Sequence, residues 1–203
     1  IIESTLGPQV IGEDPFDIEK ISAKMDQAVE GHPSAKAAID LALYDLMARG
    51  LGVPAYAILG GLYRENVVYD GFIGANISDP RAAAEAAKRE VADGARGIKI
   101  KVGSSLPEED MARIKAIRES IGDDIKIRVD ANQAWKASQA VKIIRGMERY
   151  DLLVVEQPVP AWDLEGLAMV TRCVDTPILA DESVFSPNDA LQIVKRRAAD
   201  MIN

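Results

Sequence analysis

Residues 97–130 read GIKIKVGSSLPEEDMARIKAIRESIGDDIKIRVD, and the pattern in this stretch recurs along most of the chain. Both ends alternate with period two, as half-buried strands do. Ile98, Ile100 and Val102 share one face, with Lys99 and Lys101 on the other. Ile125, Ile127 and Val129 repeat the apolar face, leaving Lys126, Arg128 and Asp130 opposite. Between them Pro107-Glu108-Glu109 is helix-entry chemistry and opens a helical pattern over about 107–121. Strand, helix and strand on this scale predict a parallel βα unit.

Outward from this unit the same rhythm holds. Apolar or β-branched runs at 67–74, 97–102, 125–130, 152–157 and 177–181 predict strands. Helical patterns separate or follow them at about 80–93, 107–121, 137–149, 164–174 and 187–198, with Asp79-Pro80 and Ser186-Pro187 as entry signals. Asp130, Glu156 and Asp181 close successive strands at spacings of 26 and 25 residues. Near-constant units running one way favour a (β/α)8 TIM-type barrel over an open doubly wound sheet. No Gly-rich phosphate fingerprint follows any strand. The fold class is therefore α/β, with residues 67–203 giving five βα units and the start of a sixth strand at Asp200-Met201-Ile202-Asn203. A barrel closes at eight strands, and an unclosed parallel sheet exposes an apolar edge, so the sequence is expected to be an excerpt of a longer protein.

Residues 1–66 carry helical patterns and no strand. One helix is expected from Asp14-Pro15 to about Glu30, and a second from Pro33-Ser34 with an apolar stripe of Ala38, Leu41, Leu43, Leu46 and Met47. Gly50, Gly52 and Pro54 end the second, and a third short helix closes at Gly60-Gly61.

Composition limits the function classes. The 203 residues are 48% hydrophobic and 28% charged, the balance of an ordinary globular protein. A net charge of −8 with no basic cluster argues against nucleic acid as a partner. No apolar run approaches the roughly 20 residues of a membrane helix. The single cysteine, Cys173, rules out a disulfide framework within the chain and suits a reducing, cytoplasmic setting, where it reads as a packing residue.

The chemistry concentrates at the strand ends. In a barrel the apolar face of each strand meets the outer helices, so Lys99 and Lys101 point inward together. Mutual repulsion is expected to lower both amine pKa values, which suits a general base near neutral pH. Asp130, Glu156 and Asp181 finish three consecutive strands at the face where barrel active sites are built. Three converging carboxylates repel unless a cation sits between them, and oxygen-only ligands select a hard ion, for which magnesium fits best. Such an ion and a lysine base together suit removal of a proton beside a substrate carboxylate.

Here the chain resembles the mandelate racemase and muconate-lactonizing branch of the enolase superfamily. Lys99-Ile100-Lys101 is similar to its Lys-x-Lys strand, and Asp130-Ala131-Asn132, Glu156-Gln157-Pro158 and Asp181-Glu182-Ser183 are similar to its three metal-ligand strand ends. Residues 32–61 resemble the helical part of its capping domain, an α+β unit, so 1–66 are expected to be that part. The resemblance implies Lys101 as the acid/base, Lys99 as its electrostatic neighbour, and Asp130, Glu156 and Asp181 as Mg2+ ligands. It further implies an isomerase of the muconate-cycloisomerase-like subgroup acting on a small-molecule carboxylate, and a homo-oligomer. Racemisation or epimerisation of an amino-acid derivative and cycloisomerisation of a diacid are the leading reactions. A hydro-lyase of the same superfamily is the alternative, and an inactive barrel with a binding role is the alternative of another class. A further lysine facing Lys101, which the subgroup implies, falls beyond Asn203.

Other residues receive smaller roles. His32 is expected to serve the entry of a helix, and Trp135 and Trp162 to lie in loops near the barrel mouth. Asn132 is expected to bond to a metal ligand or to Lys99, Glu182 to orient a neighbour, and Glu108-Glu109-Asp110 to complement a helix N-terminus.

Overall fold

The computed structural model describes residues 1–203, which separate into two units, Ile1–Val67 and Val68–Asn203. In the first, a π-helical turn at Ile2–Leu6 leads into α1 (Gly7–Val10), α2 (Ile18–Ala28), α3 (Pro33–Leu51) and α4 (Ala55–Ile58). Leu6, Ile21, Met25 and Leu43 form its core, with Val10, Val29, Ala35 and Ile39 packed against them. The helix expected from Asp14-Pro15 is α2, which begins at Ile18. The Asp14 carboxylate accepts the N–H of Phe16 at 3.0 Å, and this local turn competes with helical pairing. On α3 the inward face is Ala35, Ile39 and Leu43, and the expected Leu41 and Leu46 are exposed. The helix is apolar around much of its circumference, so spacing alone cannot select its buried side. It ends as predicted: Gly52 takes φ 70°, and the N–H groups of Gly52 and Val53 bond to the carbonyls of Arg49 and Ala48.

In the second unit β1 (Asp70–Ile73), β2 (Gly97–Lys101), β3 (Lys126–Asp130), β4 (Leu152–Glu156), β5 (Ile178–Ala180) and β6 (Met201–Ile202) form one sheet in sequence order. Every neighbouring pair is parallel. Sequential order is informative: a doubly wound sheet reverses its order to place helices on both faces, whereas unreversed right-handed crossovers keep them on one. The sheet is the wall of an incomplete (β/α)8 barrel. Its helices are α5 (Pro80–Ala92), α6 (Pro107–Ile121), α7 (Ala137–Met147), α8 (Leu164–Cys173) and α9 (Pro187–Arg196). Asp79, Asp163 and Ser186 cap α5, α8 and α9 by accepting the N–H of Ala82, Gly166 and Asp189.

Strand limits are tighter than the sequence pattern. Val67, Val68 and Tyr69 are apolar but exposed and precede β1, and β5 excludes Pro177, which has no N–H for the ladder. The 137–149 helix tightens into a 3-10 turn at Glu148–Tyr150.

The core lies between wall and helices. Ile98, Ile100, Ile127, Val129, Val155 and Ile178 from the strands meet Ile114, Ile117, Ile144 and Leu167 from the helices. Ile100 is fully buried, so Ile100→Ala in the full-length protein should lower unfolding stability by about 2–5 kcal/mol in chemical denaturation. A loss below about 0.5 kcal/mol would mean that this face of β2 is not packed as described.

Candidate active site

The register puts the charged residues in layers. Lys99 pairs by Cα with Arg128, and above it Lys101 pairs with Asp130 and Asp130 with Glu156. In the lower layer Arg128 meets Asp70 at 2.9 Å, and Gly97 gives that carboxylate room, since a Cβ there would collide with it. In the upper layer Lys101 Nζ lies 2.6 Å from Asp130 Oδ2, and Lys99 Nζ reaches Asp130 Oδ2 at 3.0 Å and Glu156 at 2.8 Å. Asp130 and Glu156 are buried, while the two lysine side chains remain about a quarter exposed at 25% and 27%.

This pairing corrects the expectation that repulsion lowers both amines. At Lys99 burial does oppose the charge, but hydrogen bonds to Glu156 and Asp130 outweigh it and raise the pKa. Asp130 shows the counterpart: burial works against ionisation, yet hydrogen bonds from Lys101, Lys99 and the Asn132 N–H hold its carboxyl below the ordinary value. Glu156 goes the other way. Burial pushes it up, and the charges of Asp130 and Asp181 add to that, with Lys99 offsetting only part.

Asp181 lies just past β5. Its N–H is held by Gln157 Oε1 at 2.9 Å, and its Oδ1 accepts from Asn203 Nδ2 at 3.0 Å. Asn132 accepts from Lys101 rather than from Lys99, and donates to Glu182 at 2.9 Å. Glu182 therefore orients a neighbour, while its second oxygen is buried without a partner. Trp135 is packed in the core, Trp162 is exposed, and His32 enters α3 with φ 53° and no side-chain cap.

One pair escaped the sequence reading. Asp110 is not a solvated helix-end carboxylate: it is buried, accepts the N–H groups of Gly103 and Ser104 at 2.8 and 2.9 Å, and pairs with Arg113 at 3.2 Å. Arg113, also buried, donates to the carbonyls of Lys101 and Gly74 at 3.1 and 3.2 Å. Together they fasten the ends of β1 and β2 beneath Lys101.

The carboxylates do not close on a common point as a ligand cage does. The Lys99 ammonium instead bridges Asp130 and Glu156 and acts as the local cation. The donor set is nonetheless all oxygen, and burial together with the charges of Asp130 and Asp181 holds Glu156 up despite its contact with Lys99. A hard divalent ion fits that chemistry.

The parallel barrel wall carries Lys99 and Lys101 on β2 and gathers three carboxylates at or just past the carboxyl ends of the next strands. The comparisons identify the family. Residues 81–203 match the "Enolase C-terminal domain-like" family model, and residues 1–60 match "Mandelate racemase / muconate lactonizing enzyme, N-terminal domain". The chain belongs to the mandelate racemase/muconate-lactonizing enzyme family of the enolase superfamily. It is 49% identical to the hydrophobic dipeptide epimerase of Enterococcus faecalis, over 97% of this chain and 54% of that protein. It is 35% identical to muconate cycloisomerase 1 of Rhodococcus opacus, over 100% of this chain and 54% of that protein. A crystal structure of dipeptide epimerase from Enterococcus faecalis complexed with Mg and L-Leu-L-Tyr superposes with a TM-score of 0.87 at 48% identity, covering 98% of this chain and 55% of that one. The chain thus spans about half the length of the relatives it matches. No helix is long and apolar enough to cross a membrane.

Proposed function

We propose that the full-length protein is a magnesium-dependent isomerase that epimerises a dipeptide by removing the proton beside its carboxylate. The observation that carries this reading is the placement of Lys99 and Lys101 on one inward face of β2, in direct contact with Asp130 and Glu156 on the next two strands. Asp130, Glu156 and Asp181 would hold the ion. When bound, it would balance the charge that develops on the substrate carboxylate as the proton departs.

The residues divide the remaining work. Lys101, in the upper layer and steadied by Asn132 and by the carbonyl clamp of Arg113, accepts the proton at Nζ on its own face and exchanges it with solvent. Inversion takes a proton from an acid on the opposite face, which the muconate-lactonizing resemblance implies on a later strand. Lys99, in the layer below, balances the buried carboxylates. Identity favours dipeptides as the substrate class, at 49% to an epimerase against 35% to a cycloisomerase. In this reading residues 1–66 are the helical part of a capping domain and 67–203 the barrel, a division supported by family-model matches over 1–60 and 81–203.

The test is a panel of dipeptides in deuterated water, read by mass spectrometry, with muconate in a parallel arm. Accepted dipeptides should gain one deuterium beside the carboxylate, EDTA should stop the gain, and added Mg2+ should restore it. Turnover of muconate with no dipeptide labelled would replace epimerisation by cycloisomerisation.

A further inference from the structure

Gln157 and Ser183 stand beside two of the strand-end carboxylates, in Glu156-Gln157-Pro158 and Asp181-Glu182-Ser183, and the proton transfer above uses neither. Both are buried, Gln157 completely. The Gln157 backbone takes φ 37°, in the left-handed region that a residue with a side chain adopts at a cost.

Its amide is fully engaged. Oε1 accepts the N–H of Asp181 at 2.9 Å and of Ser183 at 3.1 Å. Nε2 donates to the Val159 carbonyl at 3.0 Å and to Ser183 Oγ at 2.8 Å. Two N–H donors facing one end and a carbonyl facing the other fix which atom is oxygen. Ser183 Oγ then donates to the Ala161 carbonyl at 3.0 Å. The Gln157 main chain adds a bond to Leu179 O at 2.9 Å and accepts the Gln133 N–H at 2.8 Å. One residue therefore joins the ends of three successive strands.

The ladder itself is too short for that task. Between β4 and β5 only Val155↔Ile178 and Glu156↔Leu179 are in register, so strand pairing stops before Asp181. Beyond that point, the side-chain amide of Gln157 ties the Asp181 main chain to the residue after Glu156.

We propose that Gln157 is a positioning residue for the metal centre, its amide setting the separation of the Glu156 and Asp181 ligands and, through it, affinity and selectivity for Mg2+. This rests on the reading that Asp130, Glu156 and Asp181 hold the ion. Mg2+ demands near-ideal octahedral geometry, whereas Ca2+ accepts irregular coordination, so a loosened ligand pair penalises the smaller ion more.

The experiment is calorimetric titration of Mg2+ and of Ca2+ into the substrate-free full-length protein and its Gln157→Met and Ser183→Ala variants, with circular dichroism to confirm folding. Methionine keeps the length but leaves the N–H groups of Asp181 and Ser183 without their acceptor. Mg2+ affinity of Gln157→Met should fall about 10–100-fold, as for lost outer-shell partners elsewhere, with a smaller loss for Ca2+. Ser183→Ala keeps the Asp181 bond and should weaken Mg2+ by only about fivefold, less than the ~10–100-fold expected when the Asp181 bond itself is lost. Folded Gln157→Met that binds Mg2+ like its parent, or that loses both ions equally, overturns the proposal. If Gln157→Met does not fold, Ser183→Ala decides, and unchanged affinity there overturns it. Asp130→Asn that binds Mg2+ as tightly as its parent would instead overturn the metal assignment itself, so the two failures are distinguishable.

Discussion

Lys101→Ala in the full-length protein should lose hydrogen–deuterium exchange beside the substrate carboxylate on the face this lysine serves, with turnover down about 10²–10⁴-fold, the usual contribution of a general base. Geometry selects Lys101 over its neighbour. It occupies the upper layer beside Asp130 and contacts Asn132, whereas Lys99 starts one layer lower and ends between two buried carboxylates. Exchange is the decisive measurement because a lysine that abstracts a proton scrambles it with water. A residue that only binds substrate would change apparent affinity and leave the isotope content per turnover alone. The muconate-lactonizing resemblance implies a second base on a later strand. If it operates, one epimer of the dipeptide should still exchange in Lys101→Ala while the other does not. Undiminished exchange from both would place the base elsewhere.

Much of this site could be inferred from sequence because its signals are local. Alternation of period two in Gly97–Lys101 fixes which side chains share a face, and carboxylates at Asp130, Glu156 and Asp181 recur at the length of one βα unit. The missed features depend on partners distant in the chain. No motif singles out Arg113 or Arg118 on α6, yet both are buried, and Arg118 donates to the carbonyls of Tyr150, Gly122, Ile125 and Asp151. Carbonyls carry no residue identity, so no motif announces such a clamp. The lysine pair failed for a related reason. Two like charges on one strand suggest repulsion, but carboxylates from the next two strands reach Lys99 and reverse the sign. The loop position of Trp135 points to the mouth, whereas its burial in the core and the bond from its N–H to the Pro158 carbonyl at 3.0 Å involve a residue distant in the chain.

Asp130→Asn should remove Mg2+ binding more completely than the ~10–100-fold expected on losing an outer-shell partner, because it deletes a charge at the centre of the carboxylate group. Asp130 is 1% exposed and contacts both lysines, so it is central to the cluster's electrostatics. The fold should persist. Losing this carboxylate removes an attraction from two ammonium groups, but it also relieves the repulsion that helps to raise Glu156. The lysines stay partly exposed, and Lys99 keeps Glu156 as a partner. Solvent screening then limits the stability change of the metal-free protein to about 1 kcal/mol either way, far from the cost of stranding a fully buried charge. The measurement is a pair of melts, with and without saturating Mg2+. The parent should be stabilised by the ion through mass action and the variant should not. Equal Mg2+-induced stabilisation in both would show that the ion binds away from Asp130, and the ligand assignment would fall with it.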